Sequence, residues 1–448
     1  MLLVLIVNYI HRIVPTTGSL FCYTSTMSFI SSVFYFFTPY ADAREQAVGR
    51  FFTYLTEHSS QSQTRARLGA LLQRNIAVIS LWTEYRYKGY GYLHKLQRKK
   101  LYVNLELIAQ DFDRFYADNT SPSEKAITRI HQLAPHATVD PPKVALLHAL
   151  MLYFSPTRGL YEYRQSSSFS RLLRDPAREK LVGDCNQIVT LYIYLYSRYH
   201  DVHDLQIRML PGHVALHCQG IDIETTNGTF VNYDAKANSL LPIEEIVSTN
   251  LLDTTDTYLY THEVDAKEYL QAARLAFILS HNRDVVTQNL KAAYGILINA
   301  LMKRNNYHQA LKYALASRDA ALLDIVGHNG TVYEMAHHNY TAARRFAQHA
   351  SKRDELIHNS WQAQGAYHYK EHRYDDAIKA FERIDNQSSI RQCYEALFFE
   401  AQTKLGSRKL TAETIKQHAD VIKRMHAYAK KSGNEALMEY TRELHKSL

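Results

Sequence analysis

Apolar residues recur at helical spacing along most of this chain, and the period shortens to two in only one place. Residues 41–56 and 65–85 carry amphipathic helical patterns. Residues 102–116 repeat the pattern with Leu105, Ile108, Phe112 and Phe115 on one stripe. Ser121-Pro122-Ser123-Glu124 is a helix-start signal, and residues 144–154 read as a buried helix. Residues 188–196 form a further helix, with Ile188, Leu191, Tyr192 and Leu195 in register, and from Ala266 onward the pattern is helical again. Alternation appears at 205–209, which predicts a core strand, and again at 213–218. Pro211-Gly212 bends the backbone between the two, and Gln219-Gly220 fits a two-residue hairpin turn. That turn pairs Cys218 with Ile221, His217 with Asp222, Leu216 with Ile223 and Ala215 with Glu224. After a turn-rich return at 230–240, Pro242-Ile243-Glu244-Glu245-Ile246 reads as the start of a short helix, and 258–260 as an edge strand. The expected fold class is α+β and predominantly helical, with a small antiparallel sheet.

The pattern divides the chain. Residues 1–40 are a hydrophobic leader, broken only by His11 and Arg12. Its apolar runs are too short to span a bilayer and no basic segment precedes them. It reads as a membrane-associating anchor, as a helix packed on the body, or as sequence upstream of a true start at Met27; the last two are favoured. Residues 41–135 form a helical support region. A polar break at 136–142, with Pro141 and Pro142 adjacent, opens a mixed core over 136–262. Residues 263–448 hold a repeat: Tyr307, Ala310, Tyr313 and Ala314 recur as Tyr340, Ala343, Phe346 and Ala347, then as Tyr374, Ala377, Ala380 and Phe381. This is the tetratricopeptide period, in which small alanines let the second helix of each hairpin pack closely. A solenoid of this kind offers a concave surface to a protein or peptide.

Composition narrows the reading. With 16 Gly and 10 Pro in 448 residues the chain is poor in turn formers, in line with a helical fold. Its 33 Tyr fall largely at helical spacing and are assigned first to packing. The net charge of +8 is dispersed, without a basic stripe interleaved with aromatics, so nucleic acid is not an expected partner. Cys22, Cys185, Cys218 and Cys393 lie far apart with no paired spacing. Neither disulfides nor a metal site is expected, the latter because His203, His217, Asp222, His337 and His338 match no ligand spacing. No cofactor is expected, and the reading is of a cytoplasmic protein in a reducing compartment.

The candidate chemistry lies between 183 and 226. Asp184 is a good helix N-cap, which puts Cys185 in the first turn, at the positive end of the helix dipole where the thiolate is favoured. The hairpin register gathers His213, Ala215, His217, Asp222, Glu224 and Thr226 on one face, with Glu224 a diagonal neighbour of His213. The orienting pair is therefore His213 with Glu224, or alternatively His217 with Asp222. A thiol, an imidazole and a carboxylate are the parts of a nucleophilic centre.

Gly183-Asp184-Cys185, Pro211-Gly212-His213 and Glu224-Thr225-Thr226 resemble the transglutaminase-like superfamily over residues 140–262. More narrowly they resemble its bacterial branch with C-terminal tetratricopeptide repeats. The family's Asp-Pro-Thr stands here as Glu224-Thr225-Thr226, so Glu224 takes the aspartate's place. Some members of that branch lack the cysteine; Cys185 is present here. The resemblance implies a papain-like centre in which Cys185 attacks an amide carbonyl, His213 moves the proton and Glu224 orients the imidazole. The Cys185 backbone N–H would serve the oxyanion, and Tyr161, Tyr163 and Gln165, just upstream, are candidates to assist. Proteolysis, deamidation and crosslinking are all consistent with it. The competing expectation is a non-catalytic interaction scaffold that keeps a remnant of the core.

Overall fold

The computed structural model describes residues 35, 37–56, 58–121, 124–165, 167–233, 239–253, 265–406 and 411–446. Most of the 1–40 leader, residues 1–34 and 36, and the expected strand at 258–260 lie outside the described residues. The fold is α+β and predominantly helical with one small antiparallel sheet. It divides into two compact units between Ala293 and Tyr294.

Among the described residues the first unit begins with five helices: α1 (Ala43–Thr53), α2 (Gln61–Tyr87), α3 (Lys95–Ala117), α4 (Glu124–Leu133) and α5 (Pro141–Tyr153). A short strand β1 (Tyr161–Tyr163), the one-turn helix α6 (Phe169–Leu172) and β2 (Leu181–Gly183) lead into α7 (Cys185–Tyr196). The main sheet follows: β3 (Leu205–Leu210), β4 (His213–Cys218), β5 (Ile221–Glu224), β6 (Thr229–Val231) and β7 (Leu240–Pro242), in the order β6-β5-β4-β3-β7. Helices α8 (Glu245–Leu252) and α9 (Ala266–Leu279) close the unit, and α10 (Arg283–Lys303) runs across the division.

Helix α7 is the centre of this unit. Ile188, Val189, Leu191, Tyr192, Ile193, Leu195 and Tyr196 are all fully buried, so the helix is apolar around its whole circumference. It packs on β4 on one side and on α2 and α5 on others. One continuous core runs from Ala41 to Leu279 through α1 to α9 and β1 to β6. The support region at 41–135 and the mixed core at 136–262 are therefore not separate bodies. Pro141 and Pro142 do not break the chain; they occupy the first turn of α5, where a missing N–H costs nothing. Pro142 is exposed, and the polar stretch before it is an ordinary helix entry. Pro242 likewise lies in β7, paired with Gln206 on the sheet edge, rather than starting a helix. The first unit also keeps α9, which packs on α8 and α2.

The hairpin register is the one read from the sequence: Leu216 pairs with Ile223, His217 with Asp222 and Cys218 with Ile221. Its turn places Gln219 at φ 55° and Gly220 at φ 89°, the left-handed pair that matches strand twist. Gly212 has φ 69° in the turn ahead of His213.

The second unit continues with α11 (Tyr307–Ser317), α12 (Ala320–Ala336), α13 (Tyr340–Ala347), α14 (Arg353–Lys370), α15 (Tyr374–Glu382) and α16 (Gln387–Thr403), each packed on the next. Helices α17 (Ala412–Gln417), α18 (Ala419–Ser432) and α19 (Glu435–His445) end it. Tyr307, Tyr340 and Tyr374, the first residues of the sequence repeat, each open a helix. Two residues before each, Asn305, His338 and His372 adopt φ of 57°, 59° and 57°. The following N–H groups, of Asn306, Asn339 and Arg373, reach back to Leu301, Glu334 and His368 carbonyls at 2.9, 2.8 and 2.9 Å. This is one left-handed helix stop used repeatedly, and it recurs at Asp385, φ 51°, with the Asn386 N–H on the Phe381 carbonyl at 3.0 Å. Ala310, Ala343 and Ala377 are fully buried, and Gly330 and Gly365 lie against the rings of Phe346 and Phe381. Small residues at those contacts are what let the helices approach.

Candidate active site

The thiol is placed by a helix start. The Asp184 carboxylate accepts the Asn186 N–H at 3.0 Å, and the Gln187 side chain accepts the Asp184 N–H at 2.9 Å, completing a capping box. The cap engages N–H groups deeper in the first turn and leaves that of Cys185 uncapped, beside its own sulfur. Burial, aided by nearby Asp253, pushes the Asp184 carboxyl up to about 7 despite the N–H groups it accepts. Cys185 is 9% exposed, against 1% for Cys218 and 0% for Cys393. Burial pushes the Cys218 thiol up to about 12 and the Cys393 thiol up to about 11, so those two are held as neutral packing groups.

The imidazole comes from the first residue of β4. His213 Nε2 lies 2.6 Å from Glu224 Oε2, which leaves Nδ1 for the sulfur side. A hydrogen bond to the Cys185 sulfur, and then one to the Glu224 carboxylate, hold this imidazole up to about 10, against the opposing effect of burial. Burial alone would raise the Glu224 carboxyl, but hydrogen bonds from His213, Thr226 and Tyr233 outweigh it and bring it down to about 2. At neutral pH the pair is an imidazolium and a carboxylate, 27% and 7% exposed at their side chains. Cys185, His213 and Glu224 are thus brought together.

The alternative pair also forms. His217 Nδ1 is 2.7 Å from Asp222 Oδ1, and Arg208 Nε donates to the same oxygen at 3.0 Å. Burial works against the Asp222 charge, but His217, the Tyr233 N–H and Arg208 keep its carboxyl below the usual range. It is His213, however, that has Cys185 as its neighbour.

The candidate oxyanion donors separate. Strand β1 pairs in parallel with β2, setting Tyr163 opposite Gly183, two residues before the thiol. Tyr161 is buried and donates its hydroxyl to the Gly183 carbonyl at 2.8 Å, so that donor is already engaged in holding β1 to β2. Its hydroxyl proton is thereby directed at the Gly183 carbonyl and not at the thiol. The Tyr163 ring is half-exposed and close enough to Cys185 for the two groups to interact electrostatically. Gln165 is exposed, and among the described residues none of its bonds runs to Cys185 or His213.

Two residues with no role assigned from the sequence support Glu224. Thr226 donates its N–H at 3.1 Å and its hydroxyl at 2.5 Å to Glu224 Oε1. Tyr233 donates its hydroxyl to Glu224 Oε2 and its N–H to Asp222 Oδ2 at 3.0 Å. Thr226 belongs to the quoted motif. Tyr233 lies in the turn-rich return, and only the β5–β6 register, with Asp222 opposite Val231, puts it on this face. Behind the site, the buried Glu84 carboxylate accepts the N–H groups of Phe169 and Ser170 at 2.6 and 3.0 Å and anchors α6.

Among the described residues no group of His, Cys, Asp and Glu is arranged to hold a metal ion, and no helix is long and apolar enough to cross a membrane. Comparison with family models, with curated proteins and with solved structures found no match to this chain.

Proposed function

We propose that the chain is a thiol-dependent amide hydrolase or acyltransferase of transglutaminase-like type. The observation that carries this reading is the single imidazole flanked by the Cys185 thiol and, at 2.6 Å, by the Glu224 carboxylate. In the proposed reaction the Cys185 thiolate adds to an amide carbonyl. The protonated His213 delivers its proton to the departing amine or ammonia as the carbon–nitrogen bond breaks and a thioester forms. The uncapped Cys185 N–H stabilises the oxyanion. Water or a second amine then attacks the thioester, its proton passes through His213, and the thiolate is regenerated. Glu224 holds the imidazole orientation and its positive charge throughout. The helical hairpins of the second unit dock the protein or peptide that carries the amide. A reducing, cytoplasmic compartment suits this thiol.

The second reading is a non-catalytic docking protein, and the low exposure of Cys185, 9%, favours it. Timed alkylation with iodoacetamide at pH 7, read by peptide mass spectrometry, decides between the two. The catalytic reading requires Cys185 to label at least tenfold faster than Cys218 and Cys393, and requires His213→Ala to remove that preference. Equal labelling of the three leaves the docking reading. Peptide-library profiling of wild type against Cys185→Ala then identifies cleavage, deamidation or crosslinking.

A further inference from the structure

We infer that Tyr233 is a positioning residue for the His213–Glu224 pair, and that the second histidine–carboxylate pair, His217 with Asp222, serves to clamp Tyr233 in place. The consequence for catalysis rests on the function proposed above; the positioning itself rests on the hydrogen-bond network.

The need for such a residue follows from the side chain at position 224. Glutamate carries one more rotatable bond than aspartate, and a carboxylate that has to meet one ring nitrogen loses alignment through each free torsion. Both oxygens of Glu224 are accordingly tied. Oε1 takes two bonds from Thr226, at 3.1 and 2.5 Å. Oε2 faces His213 Nε2 at 2.6 Å and also receives the Tyr233 hydroxyl. Tyr233 therefore fixes the very oxygen that orients the imidazole.

Tyr233 sits two residues beyond the end of β6, where the sheet ladder no longer holds the backbone. What holds it is Asp222, whose Oδ2 accepts the Tyr233 N–H at 3.0 Å. Asp222 in turn has its other oxygen fixed by Arg208 Nε at 3.0 Å and His217 Nδ1 at 2.7 Å. Arg208 is braced by its bond to Ser239 Oγ at 3.1 Å. The chain of contacts runs from β3 through β4 and β5 to Tyr233, and ends on the carboxylate beside the thiol. This gives the duplicate pair a function: it is buried support, with Asp222 1% exposed, and acts on the reacting groups through one tyrosine.

The sign of the effect separates positioning from simple electronic tuning. A hydroxyl donated to a carboxylate withdraws charge from it, so loss of that donor alone would strengthen the attraction for the imidazolium and raise the pH at which His213 deprotonates. Loss of position lets the carboxylate swing away and lowers that pH. The experiment is a histidine-selective NMR titration of the full chain, with His213 assigned by its loss in His213→Gln. Tyr233→Phe preserves the ring, and Asp222→Asn loosens the clamp without touching the hydroxyl. Each is expected to lower the His213 midpoint by about one pH unit, the weight of one bond to a charged group. The double variant is expected to go no further than the larger single effect. A midpoint unchanged or raised in Tyr233→Phe overturns the positioning role, and fully additive effects overturn the clamp. The iodoacetamide selectivity of Cys185 in the wild type is read separately, so the proposed function can fail while this network stands, and the reverse.

Discussion

Replacing Glu224 with glutamine tests the charge balance of the site, because the side chain keeps its length and most of its acceptors while losing its charge. In the folded protein the carboxyl sits at about 2 against an ordinary 4.5, which is equivalent to about 3 kcal/mol of stability at neutral pH. The sign is fixed by the direction of the shift. A depressed carboxyl contributes fully above pH 4.5, and the contribution is lost as pH falls through about 2. For His213, raised from 6.5 to about 10, the contribution is fully present below pH 6.5 and is lost as pH rises through 10. The two describe one coupled pair and are not summed. Glu224→Gln is therefore expected to cost about 2–3 kcal/mol at pH 5.5, and the gap to the wild type is expected to close to roughly half at pH 3. Urea unfolding measures this. Trp82 is buried in the first unit and Trp361 belongs to the second, so a Trp361→Phe background makes Trp82 fluorescence report the first unit alone. A gap that stays constant between pH 5.5 and 3, or one under about 0.5 kcal/mol at pH 5.5, would refute the assignment of this carboxylate as a held anion.

Further outcomes follow from other contacts. A Cβ at Gly330 would lie 2.4 Å from the Phe346 ring and one at Gly365 2.5 Å from the Phe381 ring, whereas at Gly295 the nearest atom is 3.6 Å away. Gly330→Ala and Gly365→Ala are expected to destabilise the second unit by about 1–3 kcal/mol, and Gly295→Ala to stabilise it by about 0.5–1 kcal/mol, in thermal unfolding followed through Trp361. Asp184→Asn keeps an N-cap while removing a buried carboxyl raised to about 7. Folding disfavours that charge increasingly as pH rises from 3.8 to 7, so the variant is expected to gain roughly 4 kcal/mol over wild type at pH 8 and almost nothing below pH 4, read by urea unfolding of the first unit.

What the sequence revealed of the site was local. Asp184 and Gln187 specify a helix start within four residues, and that places Cys185 without reference to the rest of the fold. The hairpin is equally self-contained, since Gln219-Gly220 and the alternation around it fix which residues share a face. What stayed hidden depends on distant partners. Strands β1 and β2 have three residues each, too few for any period to show, and they exist because they pair with each other. Tyr233 follows a strand equally short. The choice between the two histidine–carboxylate pairs needed the position of α7 relative to β4, which no pattern along one strand encodes. Tyr161 looked like a free donor because its acceptor, the Gly183 carbonyl, lies 22 positions away.

The same reasoning explains where the first unit ends, and it can be tested by shortening the chain. Periodicity marked the chain as helical from Ala266 onward but not the surface that stretch covers, so the change to repeats was placed at 263. In the structure Ala272, Leu275, Ala276 and Leu279 join the core of the first unit. The residues just after α9 satisfy a buried carboxylate there: Glu245 accepts the Ser280 hydroxyl at 2.5 Å and the His281 N–H at 2.7 Å. Arg65 on α2 donates to the Ser280 carbonyl at 2.9 Å. A chain ended at 262 exposes the apolar faces of α2 and α8 and strands Glu245, which is 4% exposed, without those donors. Uncovering several leucine-sized side chains at about 2 kcal/mol each, plus an orphaned buried carboxylate, is comparable to the 5–15 kcal/mol that holds a typical domain together. The fragment ended at 262 is expected to lack a cooperative unfolding transition, while one ended at 293 is expected to retain it and to keep selective labelling of Cys185. Cooperative unfolding of the shorter fragment would show that α9 is an accessory to this unit and not part of its core.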